Sequence, residues 1–100
     1  MIIWIPGTDL VGIPYTNWGG ERREATGAYV LGENNTKLRV SIDDVVEDDV
    51  NAEDLLAFLV ANKVISSPDE WRCESIHDSS GLTYTDDLFT TVIFVRTPAP

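Results

Sequence analysis

The segment from Asn51 to Asn62 is the one stretch with a clear helical pattern, and it limits the folds open to this chain. Steps of about 100° per residue gather its apolar side chains into one stripe, formed by Ala52, Leu55, Leu56, Phe58 and Leu59. Asn51 is a suitable N-cap and Asp54 follows at the third helical position, which approximates a capping box. Asn62 is expected to end the helix in a left-handed conformation. A helix with one apolar face needs a second layer to cover it.

Strand patterns on both sides of the helix predict that second layer. The strongest is Leu88 to Arg96, whose run of β-branched and aromatic residues indicates a central strand, although Thr90 could still face water. Thr36 to Ile42 alternates between apolar and polar residues, and a turn at 32–35 joins it to a strand at 28–31. Two further strands are predicted at Ile2–Ile5 and at Trp71–His77, the latter after a short helical turn that Ser67 caps and Pro68 opens.

Residues 6–27 show no periodicity, because glycines and prolines interrupt them repeatedly. We therefore expect a long loop, with a short strand around Leu10 to Ile13 as the alternative. The loop carries Tyr15 and Trp18, which either fold back as a lid on the core or stand out as binding anchors. We favour the lid, because exposed tryptophan is uncommon on monomers.

These elements predict a single domain spanning residues 1–100 with an α+β fold. Its mostly antiparallel sheet of about four to five strands carries one main helix on one face. One hundred residues are enough to build a core of their own.

The charge of the chain is strongly negative and uneven. The net charge is −10, and residues 43–100 hold thirteen acidic against three basic side chains. Nucleic acids and anionic lipids need a positive surface, so direct binding to either is not expected. A solvated surface, a metal site or a surface for a basic partner all fit such a charge.

The acidic excess is densest just before and inside the helix start. Seven carboxylates lie within twelve residues that contain no cation, namely Asp43, Asp44, Glu47, Asp48, Asp49, Glu53 and Asp54. This acidic stretch, with Tyr15 or Trp18 as an anchor, is the predicted partner-binding site.

Searches for catalytic and metal-binding motifs are negative. A calcium loop beginning at Asp49 lacks the required glycine at its sixth position and glutamate at its twelfth. Cys73 and His77 would share one face of a strand but lie roughly 13 Å apart, beyond hydrogen-bond reach. We expect Cys73 in the core and His77 at the surface, no cofactor and no enzymatic activity.

The expected function is that of a small acidic protein which occupies the basic, nucleic-acid-binding surface of another protein. By charge and size it is analogous to phage and mobile-element inhibitors of restriction or CRISPR nucleases. The alternative is an assembly subunit that pairs through a sheet edge or the first loop, with its acidity serving solubility only. A single cysteine and the absence of a basic leader favour a cytoplasmic location.

Overall fold

The computed structural model describes residues 7–32, 34–81 and 86–97 and confirms the predicted α+β class. One five-stranded antiparallel sheet has the strand order β1-β2-β3-β5-β4, so β3 is central and β1 and β4 are the edges. The elements are β1 (Thr8–Thr16), β2 (Arg22–Gly32), β3 (Lys37–Asp43), α1 (Ala52–Ala61), β4 (Trp71–Asp78) and β5 (Phe89–Arg96). The strand predicted at Ile2–Ile5 lies outside the described residues.

Helix α1 covers one face of the sheet, here called the inner face. The apolar stripe packs there as predicted, and Leu55, Leu56 and Leu59 are buried. Its partners on the central strands are buried without measurable exposure, and they are Leu38, Val40, Ile42, Val92 and Phe94. Burial of each such side chain stabilises the fold by about 1.5–3 kcal/mol relative to leaving it exposed.

The N-terminus of α1 agrees with the sequence-based prediction, whereas its C-terminus differs from it. The side chain of Asn51 accepts a hydrogen bond from the Asp54 N–H at 3.1 Å, which confirms the predicted cap. Asn62 is not left-handed, since its φ is −94° and its N–H still bonds to the Phe58 carbonyl. The left-handed residue is Lys63, with φ of 62°, which lets the Val64 N–H reach the Leu59 carbonyl.

The long loop predicted over residues 6–27 is wrong, because β1 and the first half of β2 occupy most of it. The alternative of a strand around Leu10 to Ile13 is confirmed. Leu10 and Ile13 are three residues apart, yet both are buried, because a bulge with Gly12 at φ of 77° shifts the register between them. Pro14, which has no backbone N–H, is tolerated in β1 because one side of an edge strand makes no ladder hydrogen bonds.

Gly27 lies inside β2, although glycine usually interrupts strands. It pairs with Leu10 on one side and with Ile42 on the other. A Cβ atom at this position would lie 1.9 Å from the carbonyl oxygen of Ser41, which is closer than any real contact. The missing side chain is therefore what lets β3 approach β2 here.

The remaining elements agree with the sequence, with one exception in β4. The turn between β2 and β3 contains Asn34 and Asn35, both at positive φ, and Ser67 caps a 3-10 turn at Pro68–Glu70. In β4 a register shift between Cys73 and Ser75 reverses the faces of the residues that follow. Cys73 therefore pairs with buried Phe94, whereas His77 pairs with Thr91 on the opposite face, so the expected common face is wrong.

Two glycines of β2 provide a matched test of this packing. Gly27→Ala should lower the free energy of unfolding by about 1–3 kcal/mol or more, because overpacking forces the two strands apart. Gly32→Ala meets no atom within 4 Å and should be neutral or stabilising by up to about 1 kcal/mol. Urea denaturation of both variants measures the difference, and equal effects would contradict the close approach at Gly27.

Candidate protein-binding site

The most exposed large hydrophobic side chain among the described residues is Trp18, at the tip of the β1–β2 hairpin. It is 98% exposed, so the lid expected for it is wrong. Hydrogen bonds fix the turn that carries it: the Gly20 N–H donates to the Asn17 carbonyl, and the Glu21 N–H donates to the Asn17 side chain, each at 2.9 Å. Trp18 is thus displayed on an ordered turn. Tyr15, by contrast, is half-buried and packs against the core.

Trp18 borders a groove that contains part of the acidic stretch. The groove has a volume of about 410 Å³ and lies between the hairpin tip and the start of α1. Its acidic residues are Asp48, Asp49 and Asp54. The structure therefore brings the predicted aromatic anchor and three of the predicted carboxylates together, although they are thirty residues apart in the sequence.

The other predicted carboxylates lie elsewhere. Asp43 and Asp44 line a second groove of about 510 Å³, together with Arg39 and Asp87. Its remaining lining includes residues of β2 and β3 that point away from α1, so this groove opens on the outer face of the sheet. Glu47 and Glu53 are exposed and line neither groove. A charge run that is continuous in sequence is divided between two surfaces.

Three hydrogen bonds hold the acidic stretch against the sheet. The Asp44 N–H donates to the Leu88 carbonyl at 2.8 Å, and the Glu47 N–H donates to the Asp78 carboxylate at 2.9 Å. Between them, Val45 is only 2% exposed, and its carbonyl accepts a hydrogen bond from the Thr90 hydroxyl. Thr90 itself is fully buried, so the possibility that it faces water is wrong.

Charge in the Trp18 groove is largely uncompensated. Arg22 approaches Asp54 at 3.5 Å, but both side chains are substantially exposed and such pairs contribute about 0–1 kcal/mol. Asp48 and Asp49 form no ion pair with any other described residue. The N-terminal end of α1 carries a partial positive charge, which stabilises the carboxylates of its first turn. The groove therefore offers negative charge to a cationic group.

Asp78 is a structural residue near the site that the sequence interpretation missed. Its carboxylate accepts hydrogen bonds from the Ser80 hydroxyl, the Glu47 N–H and the Ser80 N–H, and these lower its pKa. The signal was present in the run Asp78-Ser79-Ser80-Gly81, because aspartate often bonds to the backbone two residues on. Its bond to Glu47, thirty-one residues away, has no local signature.

Among the described residues, Cys73 and His77 do not come together, and no metal-binding cluster is formed. Burial raises the pKa of the Cys73 thiol, although a backbone hydrogen bond at Ser75 acts in the opposite direction. His77 lies on the other face of β4. Within the three described ranges, no three histidine, cysteine or acidic side chains are grouped to hold a metal ion, and no helix is long and apolar enough to cross a bilayer.

The chain matches no protein-family model, no curated protein and no solved structure.

Thr90→Val tests the central attachment of the acidic stretch. Valine has nearly the same shape but leaves the buried carbonyl of Val45 without its donor, which costs about 1–3 kcal/mol of folding free energy. Thr8→Val changes the same groups at an exposed position and should stay within about 0.5 kcal/mol of wild type. Urea denaturation measures both, and a neutral Thr90→Val would show that the hydroxyl does not hold Val45.

Asp78→Asn tests the attachment at Glu47 through its pH dependence. Because the folded pKa is lowered, the carboxylate stabilises the fold above its unfolded pKa of about 3.9, and this contribution disappears as pH falls through the folded value. The stability difference between wild type and variant should be constant above about pH 5 and shrink below about pH 4.

Asp69→Asn is the matched control for Asp78→Asn, because it makes the same charge change at a carboxylate that accepts no hydrogen bond from the described residues. Chemical denaturation at a series of pH values measures all three proteins. A difference for Asp78→Asn that persists unchanged into acid would contradict the role of the charged form.

Proposed function

We propose that this chain is a non-enzymatic binding protein that occupies a basic surface of another protein through Trp18 and the acidic groove beside it. The observation that carries this proposal is the nearly complete exposure of Trp18 on a hydrogen-bonded turn next to Asp48, Asp49 and Asp54. An exposed indole costs solubility, and it is enriched where proteins make their strongest contacts.

The two components of the groove have different roles in such an interaction. Asp48 and Asp49 attract lysine and arginine side chains and steer the approach of a basic partner. Trp18 supplies apolar area, and its ring can also lie against an arginine guanidinium. A surface with negative charge and an exposed aromatic ring fits a partner that has cationic side chains around an accessible apolar or planar group.

Proteins that bind nucleic acids present surfaces of this type. Their arginine and lysine side chains are placed to contact phosphates, and single-stranded nucleic acids also stack on aromatic groups. An acidic groove with a neighbouring aromatic ring offers a comparable combination of charge and stacking surface. This supports an inhibitor of a nuclease, of the kind that phages and mobile elements direct against restriction or CRISPR systems.

The anchoring of the acidic stretch adds to this proposal. A flexible acidic segment would lose conformational entropy on binding, whereas a segment held by Asp44, Val45 and Glu47 has lost much of it on folding. The hydrogen-bonded hairpin turn likewise restricts the backbone at Trp18 before binding. Both halves of the groove are therefore preorganised for contact.

Paired substitutions separate a specific groove from general acidity. Asp48→Asn with Asp49→Asn removes two charges at the groove, and Asp43→Asn with Asp44→Asn removes two charges on the other surface. The first pair should weaken binding to a nuclease on the order of 10-fold or more and reduce its salt dependence. The second pair should change affinity much less. Trp18→Ala should weaken binding by roughly 30-fold without altering the salt dependence.

The measurement uses a panel of restriction endonucleases and guide-free CRISPR nucleases, with affinity measured at low and moderate salt and with competition by labelled nucleic acid. Equal losses of affinity for the two pairs of aspartate substitutions would show that only net charge matters. That result would overturn the groove as the binding site. A lack of binding to the entire panel would overturn the nuclease class of partner.

A further inference from the structure

The outer face of the sheet, opposite α1, is apolar at its centre. Its residues alternate with those of the core along β2, β3 and β5, and none is fully buried. Its apolar residues are Ala28, Val30 and Ile93 near the middle of the strands and Val95 level with Lys37, all half-buried. Antiparallel sheets often leave one face to water, but that face is then usually polar. An apolar centre on the face that α1 does not cover indicates a contact surface.

Charge on the outer face is distributed along the strand direction. At one end lie Lys37 of β3 and Arg72 of β4, level with each other across Val95, and Arg39 lies nearer the centre beside Ile93. At the other end lie Asp43 and Asp44. Lys37, Arg39 and Arg72 form no ion pair with any described residue. The face therefore has a basic end, an apolar centre and an acidic end.

The edges of the sheet are poorly suited to pairing with another chain. Edge strand β1 contains Pro14 and the bulge at Gly12, and edge strand β4 contains the bulge between Cys73 and Ser75. Prolines and bulges at sheet edges are devices that prevent strand addition. Association through a sheet edge is therefore disfavoured. The outer face is the remaining surface of the sheet through which two chains could associate.

We propose that two copies of this chain pair through their outer faces, about a two-fold axis that lies between the sheets and runs perpendicular to the strands. Such an axis reverses the strand direction of the partner, so the basic end of each copy faces the acidic end of the other. Lys37 then meets the partner's Asp43, and the arrangement repeats by symmetry. An axis parallel to the strands would instead place cations against cations. The charge pattern thus selects one of the two sheet pairings.

Dimensions and charge are compatible with a weak dimer. Sheets pack about 10 Å apart, a gap that lysine and arginine side chains can bridge. Four strands over seven residues give a flat footprint of about 440 Å², below the roughly 800 Å² per partner of standard interfaces. The groove acids Asp48 and Asp49 lie on the α1 side and would be separated by the thickness of both sheets. That distance exceeds the screening length of about 8 Å at physiological salt.

Charge reversal with complementation tests the arrangement. One variant carries Lys37→Glu and Arg39→Glu, and the other carries Asp43→Lys with Asp44→Asn, since Asn tolerates the left-handed φ of 59° at position 44. Each variant alone should be monomeric, whereas an equimolar mixture should form a heterodimer. Both variants keep a net negative charge, so general attraction does not explain pairing. Sedimentation velocity at about 10 to 300 µM, where a small interface associates, measures the species.

Controls separate the outer face from other surfaces. Ile93→Asp should raise the dimer dissociation constant at least about 10-fold, because it places a charge in the apolar centre. Val11→Asp makes a similar change at a position that is 72% exposed in β1, and Trp18→Ala changes the proposed partner groove; both should leave the dimer intact. Circular dichroism verifies the fold of each variant. A monomeric wild type, a mixture that fails to pair, or a dimer lost in Trp18→Ala would overturn the proposal.

Discussion

The packing of α1 against one face of the sheet is the interaction on which the rest of the molecule depends. Leu55, Leu56 and Leu59 meet the inner-facing residues of β3 and β5 and form a single core. The same packing positions the start of the helix, and with it Asp48, Asp49 and Asp54, beside the hairpin that carries Trp18. It also means that α1, the one α-helix among the described residues, leaves the opposite face of the sheet uncovered. The core, the acidic groove and the exposed outer face all result from the packing of α1 on the inner face of the sheet.

Sequence patterns predicted the elements whose signals are local and failed where long-range contacts decide. The helix, its cap at Asn51 and the strands β3, β4 and β5 follow from periodicity and turn chemistry. The segment read as a loop contains β1 and part of β2, because a bulge at Gly12 and a close strand approach at Gly27 require glycine inside strands. Composition alone does not distinguish such glycines from those of turns.

At the candidate site, too, local patterns were predicted from the sequence and long-range contacts were not. Sequence proximity suggested one acidic surface, but the turn at Asp44, with φ of 59°, and the burial of Val45 send the flanking carboxylates to different sides. The Thr90 hydroxyl that holds Val45 comes from a strand forty-five residues away, in a run of β-branched and aromatic residues where Thr90 could have faced water. Trp18 was expected to cover the core, yet the turn hydrogen bonds of Asn17 direct it into solvent. Contacts between distant segments therefore define the groove.

The tight approach of β3 to Gly27 also limits how this sequence can diverge. Most side chains of the outer face are partly exposed, so substitutions there disturb the backbone less than substitutions in the core. A side chain at position 27, in contrast, would collide with the Ser41 carbonyl in any chain that keeps this strand spacing. A glycine midway along the second strand, preceded by a bulge glycine in the first, is thus a mark by which remote homologues could be recognised.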